Sequence, residues 1–530
     1  MKEHLSYGRQ SAVAADTDPF ATLLSMTYVH PFDRYATFTD IAALKEWSAK
    51  PLRKSVRVNT LKCSVGRFQE WAEEKGWKLE PVPWCREGFF IERSLPPHLD
   101  PCLPAGRLSP MGGGRVREPL GKDLLHLIGG FYIQEAASML PVELLDPKPG
   151  EVILDMSAAP GSKTTQVAAR MNGTGVIIAS DIQEHRLWTL KSSLHRSGVT
   201  NAIVTKKVGQ WFAKHMTERF DRVLCDAPCT AQGTIRKDSN ALDYCGKENV
   251  EKMARLQVQL LEAAIHAAKV GGRIVYSTCT LTPEENEGVV LSVVEKYHDQ
   301  LEILDPAKLL VTSYSLFDRI IHDSVKVQEW LESPQSSNQE RATRNMQPLL
   351  RLWPQTYDTE GFFCAVLEKR SSTRDVEQMV LVPFQEERLP GIRQKEIATK
   401  LENCYGTSFL ADAEVLFRSG EQLFLTNEEV AEFPLPVKDY SVGIPFAKML
   451  NDERIRLSHE MAALRGTQAT KGTCNIDDGQ LDLLLAGKDA QCNPELYGDT
   501  LLCCDGFCIG RALAKNGTLK NNLPRWMVRD

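Results

Sequence analysis

The stretch EVILDMSAAPGSKTTQVAARM, residues 151–171, decides the fold. It begins as a short apolar run ending in a carboxylate, Asp155. It then crosses a loop of small residues and one proline, and resumes with helical spacing of its apolar positions. That is a strand, a tight turn and a helix. Working outward, the same unit recurs. GVIIASD (175–181) is a second strand ending in Asp181, and EHRLWTLKSSLHRSG (184–198) a helix stopped by glycine. NAIVTK (201–206) and FDRVLCD (220–226) read as third and fourth strands. ENVEKMARLQVQLLEAAIHAAKVGG (248–272) reads as a long amphipathic helix ending at its glycines. RIVYSTC (273–279) is a fifth strand, and PEENEGVVLSVVEKY (283–297) a helix with proline in its first turn. Strands alternating with helices across short turns specify a doubly wound α/β sheet. Ligands of such sheets bind beyond the carboxyl ends of the strands. Asp155, Asp181, Asp226, Cys229 and Cys279 all fall at that edge.

Around this unit the chain of 530 residues leaves room for several domains. Residues 1–115 mix short helical and strand signals and end in a Pro/Gly-rich loop, LPPHLDPCLPAGRLSPMGGGR (95–115). The regular α/β pattern occupies 116–370, closing with the strand GFFCAVLEK (361–369) after a polar run at 331–345. SSTRD (371–375) reads as a linker. The remainder divides into a region at 376–455 and a β-rich unit at 456–530, where DG and NG turn signals separate apolar runs.

Composition narrows the class. Hydrophobic content of 42% and charged content of 25% are those of an ordinary globular protein. No apolar run has the length of a membrane span, and the first residues have no apolar signal core, so a cytoplasmic protein is expected. Fourteen cysteines without a CxxC pair or zinc spacing imply reduced thiols and no metal. The cluster Cys503, Cys504 and Cys508 fits an alternating strand. Net charge of −6 excludes a protein that coats nucleic acid by charge alone, but not a local basic groove. Residues 45–62 hold six Lys/Arg against one Glu, and 511–530 five against one Asp.

The loop after the first strand, Ser157, Ala158, Ala159, Pro160, Gly161, Ser162 and Lys163, is built of residues small enough for a ligand to approach the backbone. It is not a phosphate loop, because Ser162 separates Gly161 from Lys163. Two acids at successive strand ends fit a nucleoside better, with Asp181 accepting from ribose hydroxyls.

DAPCT (226–230) and YSTCT (276–280) place one thiol behind each of the last two strands. Carbon 5 of a pyrimidine is a poor nucleophile. A thiolate adding at carbon 6 makes it an enamine, a carboxyl near ring nitrogen 3 steadies that intermediate, and loss of the carbon 5 proton lets the thiol leave. Asp226, Cys229 and Cys279 are the groups such a scheme needs.

These segments resemble the RNA cytosine-5 methyltransferases of the Nop/Sun type. FYIQEAASMLP (131–141), DMSAAPGSKTTQ (155–166), DAPCTAQGTIRKD (226–238) and YSTCTLTPEENEGVV (276–290) are similar to that family's successive motifs. RVNTLK (57–62) is similar to its N-terminal RNA-contacting segment, and GTLKNNLPR (517–525) to the PUA-type tail of its bacterial ribosomal members. The resemblance implies a Rossmann-like sheet using S-adenosyl-L-methionine, an N-terminal RNA-binding extension and a PUA-like tail. It implies that Cys279 attacks and Cys229 aids release, and that Asp226 and Lys163 face the target base. Residues 157–163 would hold the methionine end of the cofactor, with Asp181, Arg186 and Asp226 completing its site. Arg53, Lys54, Arg57 and Lys62 would contact RNA phosphates. Small-subunit ribosomal RNA is the expected substrate and a monomer the expected state. A transfer-RNA cytosine-5 methyltransferase, or a non-catalytic RNA-binding assembly factor, are the alternatives. Methylation of an exocyclic amine is disfavoured, because Ala227-Pro228-Cys229 stands where that chemistry shows a proline–proline–aromatic run. The chain departs from the family pattern at Val208, where an adenine-contacting acid is usual, and at Gln232 and Gln355.

Overall fold

The structure is a computed structural model that describes residues 30–93, 119–310, 348–375, 387–438, 440–450 and 454–528. The expected loop at 95–115 and the polar run at 331–345 lie outside them.

The N-terminal sheet is antiparallel. Its strands are β1 (Ser55–Val58), β2 (Trp77–Val82), β3 (Cys85–Arg93) and β4 (Phe131–Ile133), in the order β2-β3-β1-β4. Helix α1 (Val65–Glu74) begins at Ser64, whose side chain accepts from the Arg67 amide, and buries Phe68 and Trp71 against this sheet. β4 completes the N-terminal sheet by pairing with β1, although the sequence reading puts it in the catalytic unit.

The large sheet contains the five expected parallel strands: β5 (Val152–Asp155), β6 (Val176–Ser180), β7 (Ala202–Thr205), β8 (Phe220–Asp226) and β9 (Ala268–Thr278). β10 (Leu301–Leu304), β11 (Leu350–Leu352) and β12 (Phe362–Lys369) extend it antiparallel. The order is β10-β12-β9-β8-β5-β6-β7, closed at the far edge by the strand Tyr440–Val442. Chain direction away from β5 reverses between β6 and β8, so Asp155 stands at the topological switch point. Apolar residues such as Ile153, Leu154, Ile177 and Ile178 are fully buried, as parallel strands covered on both faces require. The covering helices are α2 (Ser162–Arg170), α3 (Glu184–Ser197), α4 (Gly209–His215), α5 (Lys247–Ala267) and α6 (Glu287–Lys296).

Two helix limits differ from expectation. α5 stops at Ala267 rather than at the glycines, because Ala268 already pairs with Phe220 on β8. α6 starts at Glu287 rather than Pro283, because the side chains of 284–286 are engaged elsewhere.

The C-terminal part forms two five-stranded sheets, at 387–457 and 473–521. Its hairpins turn at Asp505-Gly506 and Asn516-Gly517, all four residues at positive φ, as the DG and NG signals foretold. The region is not set apart from the catalytic sheet. Tyr440–Val442 pairs with β7, and Val415, Phe417 and Leu435 join the core beneath β5 and β8. Phe68 and Trp71 likewise share a core with Leu484 and Ile509. Among the described residues no helix is long and apolar enough to cross a membrane.

Candidate active site

The loop between β5 and α2 is held from both sides. Gly161 caps α2 at φ 108°, and a Cβ there would meet Ser193 Cβ at 3.0 Å and Leu190 Cδ1 at 3.2 Å on α3. Only glycine fits. The Ala158 amide donates to Ser180 O at 2.8 Å, and Thr164 Oγ1 donates to Asp155 Oδ2 at 2.7 Å. Burial pushes the Asp155 carboxyl up to about 6, against the pull of the Thr164 hydrogen bond.

At the end of β6, Asp181 is 3% exposed and its Oδ1 accepts from the Gln183 amide at 3.0 Å. Its Oδ2 is buried and accepts no hydrogen bond; Arg186 Nη1, 3.1 Å away, supplies charge without an aligned donor. Arg186 also donates to Ala159 O, so it ties the acid to the loop. Ile182 and Val208, 58% and 49% exposed, lie just beyond the ends of β6 and β7.

The two thiols meet. Cys229 Sγ lies 3.3 Å from Cys279 Sγ, both partly buried. The hydrogen bond to Cys279, then burial, hold the Cys229 thiol well above its ordinary range. Lys163 Nζ donates to Asp226 Oδ2 at 2.7 Å, and Ser277 Oγ to Asp226 Oδ1 at 2.7 Å. Burial draws the Lys163 ammonium down, but Asp226, with Asp155 and Cys279 behind it, more than offsets this and leaves it above its usual range. The Lys163–Asp226 pair and the two thiols thus lie at the same carboxyl edge, with Lys163 within electrostatic reach of Cys279.

Residues 142–368 match the family described as 16S rRNA methyltransferase RsmB/F, 32–109 the N-terminal domain of 16S rRNA methyltransferase RsmF, and 471–529 the methyltransferase RsmF PUA domain. Ribosomal RNA small subunit methyltransferase F of Aeromonas salmonicida (strain A449) is 34% identical over 488 residues, covering 91% of this chain and 92% of that protein. This chain belongs to the RsmB/F family of 16S rRNA methyltransferases. Its relative in Vibrio atlanticus (strain LGP32), of the same name, is 35% identical over 500 residues, covering 93% and 94%. Among solved structures, a methyltransferase homolog protein from Pyrococcus horikoshii is 30% identical, with TM-score 0.47 over 67% of this chain and 98% of that one.

Methyl transfer in the RsmB/F family draws on S-adenosyl-L-methionine, and the residues present fit that group. Asp181 Oδ2, which accepts no hydrogen bond, suits a ribose hydroxyl, and Ile182 and Val208 offer apolar surface to a purine.

The structure also shows what sequence reasoning missed. Glu285, fully buried, accepts from the Thr230 amide at 3.0 Å, Thr282 Oγ1 at 2.7 Å and Gln257 Nε2 at 2.8 Å. Its own carbonyl accepts from Tyr276 OH at 2.6 Å. It therefore clamps the segment after Cys229 to the segment after Cys279. Glu360 is buried beside Glu135, whose Oε1 accepts from the Glu360 amide at 3.2 Å; burial, then Glu135, push the Glu360 carboxyl up to about 7. The only signal for either residue was the density of acids in PEENEG (283–288) and TEG (359–361).

Two expected phosphate contacts are corrected. Arg57 is 2% exposed and donates to Gln134 Oε1 at 2.5 Å, Ser162 O at 2.7 Å and Thr165 Oγ1 at 2.9 Å. It holds the start of α2, not RNA. Lys62 donates to Ile128 O at 2.8 Å and Arg196 O at 2.9 Å, and burial lowers its ammonium to about 7. Both were drawn inward because β1 and the turn after it are interior to the fold. Arg53 is partly buried and paired with Glu80; Lys54 is exposed.

Proposed function

We propose that this chain methylates carbon 5 of a cytosine in small-subunit ribosomal RNA. The observation that carries the reading is the pair of sulfurs 3.3 Å apart beside the Lys163–Asp226 pair. One cysteine suffices for addition; a second against it serves release.

Residues 157–163, Asp181 and Arg186 would hold the cofactor, with Asp226 at its reacting end. S-adenosyl-L-methionine supplies the electrophilic methyl group when bound. Cys279 is the nucleophile. Its sulfur lies 3.3 Å from that of Cys229 and within electrostatic reach of Lys163. Addition of Cys279 to carbon 6 moves the 5,6 electron pair toward carbon 5. Asp226 and Lys163, fixed to one another and to Ser277, steady charge on the ring near nitrogen 3. After carbon 5 is methylated, a base such as solvent water takes its proton, the carbon–hydrogen pair restores the 5,6 double bond, and the carbon 6–sulfur bond breaks with its pair going to Cys279. Cys229 assists that departure from within hydrogen-bond reach. The target base must leave its stack to reach this point. The N-terminal region, 1–115, and the C-terminal regions, 376–455 and 456–530, would grip the flanking RNA.

The relatives' names support ribosomal over transfer RNA, and the intact set of reactive groups supports an enzyme over a silent RNA binder. A cytoplasmic site follows from that substrate. The test is to incubate the full chain with S-adenosyl-L-methionine and small-subunit ribosomal RNA lacking 5-methylcytosine, then digest to nucleosides. New 5-methylcytidine is expected. Methyl groups found only on an exocyclic nitrogen, or none, would overturn the reading.

A further inference from the structure

A groove of about 510 Å³ runs between the outer face of α3 and the strand Tyr440–Val442 at the carboxyl end of β7. Trp188 lines it and is 70% exposed. A single exposed aromatic is unremarkable. This one does not stand alone. Lys191 Nζ sits 5.4 Å from its ring centroid, and Lys206 and Lys438 line the same groove against one acid, Glu184, which pairs with Lys206 at 3.0 Å. A wide aromatic face among cations is the surface that single-stranded nucleic acid prefers: every base offers a π-face, and the lysines meet its phosphates.

The position fits as well. β7 is four strands from β9, the strand that leads into Cys279. At the spacing of neighbouring strands this is about 19 Å along the same edge. A substrate strand with its target base at the thiols could lay a nearby nucleotide here. Asp181, Ile182 and Val208 do not line the groove; it abuts the expected cofactor site through Thr205, whose carbonyl accepts from the Asp181 amide at 3.4 Å.

We infer that this groove binds an unpaired nucleotide of the RNA substrate, stacked on Trp188 and held by Lys191, Lys206 and Lys438. The inference rests on the RNA-methyltransferase reading and adds a recognition surface that lies outside the basic 45–62 stretch.

The test compares wild type, Trp188→Ala, Trp188→Phe and the triple variant Lys191→Gln/Lys206→Gln/Lys438→Gln, all full-length. The probes are unmethylated small-subunit ribosomal RNA and a labelled single-stranded RNA oligonucleotide. Loss of one stacked base should weaken RNA binding about 5- to 150-fold in Trp188→Ala. KM for RNA should rise while S-adenosyl-homocysteine binding stays unchanged, and Trp188→Phe should recover most of the loss. The triple variant should flatten the salt dependence of binding. Trp188→Ala and the triple variant both binding as wild type does would overturn the groove while leaving the enzyme reading intact. Failure of the wild type to bind or methylate either RNA would overturn both.

Discussion

Lys163 Nζ and Asp226 Oδ2 are 2.7 Å apart, so the first helix of the cofactor loop is tied to the strand that leads into the first thiol. The bond spans the topological switch point and couples the two halves of the site. Replacing the carboxylate breaks it without emptying the position. Asp226→Asn should lower kcat about 10²- to 10⁴-fold with little change in KM for RNA, measured by methyl incorporation.

Asp181 should act on the cofactor and not on chemistry. Its buried Oδ2, which faces Arg186 at 3.1 Å but accepts no hydrogen bond, is suited to one charge-assisted hydrogen bond. Asp181→Ala should weaken S-adenosyl-homocysteine binding in calorimetry by about 10- to 150-fold, the factor for 1.5–3 kcal/mol. Rate at saturating cofactor should stay near wild type.

Glu285 links the two cysteine segments through buried partners on both. Glu285→Gln turns one acceptor into a donor facing the Thr230 amide or Thr282 hydroxyl. A cost of about 1–3 kcal/mol per unpaired buried group is expected, read as a lower thermal midpoint. Turnover should fall as the spacing of the sulfurs loosens, with cofactor affinity retained.

Asp155 gives a pH signature. Its carboxyl sits at about 6 in the fold against an ordinary value of 3.8. A carboxyl raised on folding adds stability that is full below the unfolded value and is lost as pH rises through the folded one. Ionised Asp155 thus costs the fold up to about 3 kcal/mol above pH 6. Asp155→Asn, which keeps an acceptor for Thr164, should raise the thermal midpoint at pH 8. The gain should shrink between pH 6 and 4 and vanish below.

Arg57 separates a structural cation from an RNA contact. Arg57→Ala leaves Gln134 Oε1 without its donor, while Ser162 O and Thr165 Oγ1 keep their bond to one another, and should cost about 1–3 kcal/mol for the group left unpaired. The salt dependence of RNA binding should not change. A phosphate contact would instead lower its slope by about one.

The catalytic sheet was legible because its strands carry continuous apolar runs ended by acids and glycines, and because β5, β6 and β7, like β8 and β9, are neighbours both in sequence and in space. Asp155, Asp181, Asp226 and the two cysteines could be placed by one rule, the carboxyl edge. The strand Tyr440–Val442 could not: three residues carry no periodicity, and its partner β7 lies more than two hundred residues away. Arg57 and Lys62 misled because a basic stretch reads as solvated surface, while β1 is an inner strand of its sheet that buries Arg57, and the turn after it aims Lys62 at the Ile128 and Arg196 carbonyls. Glu285 was hidden for the converse reason. An acid near a helix start reads as a first-turn residue, and only the folded chain shows the threonines and glutamine that fill its lone pairs.

The central claim is a division of labour between two sulfurs 3.3 Å apart. Cys229→Ala and Cys279→Ala should each be incubated with S-adenosyl-L-methionine and unmethylated small-subunit ribosomal RNA, then run on a denaturing gel. An RNA adduct that persists with Cys229→Ala and is absent with Cys279→Ala is the predicted result. An adduct with Cys279→Ala alone would reverse the roles and contradict the account.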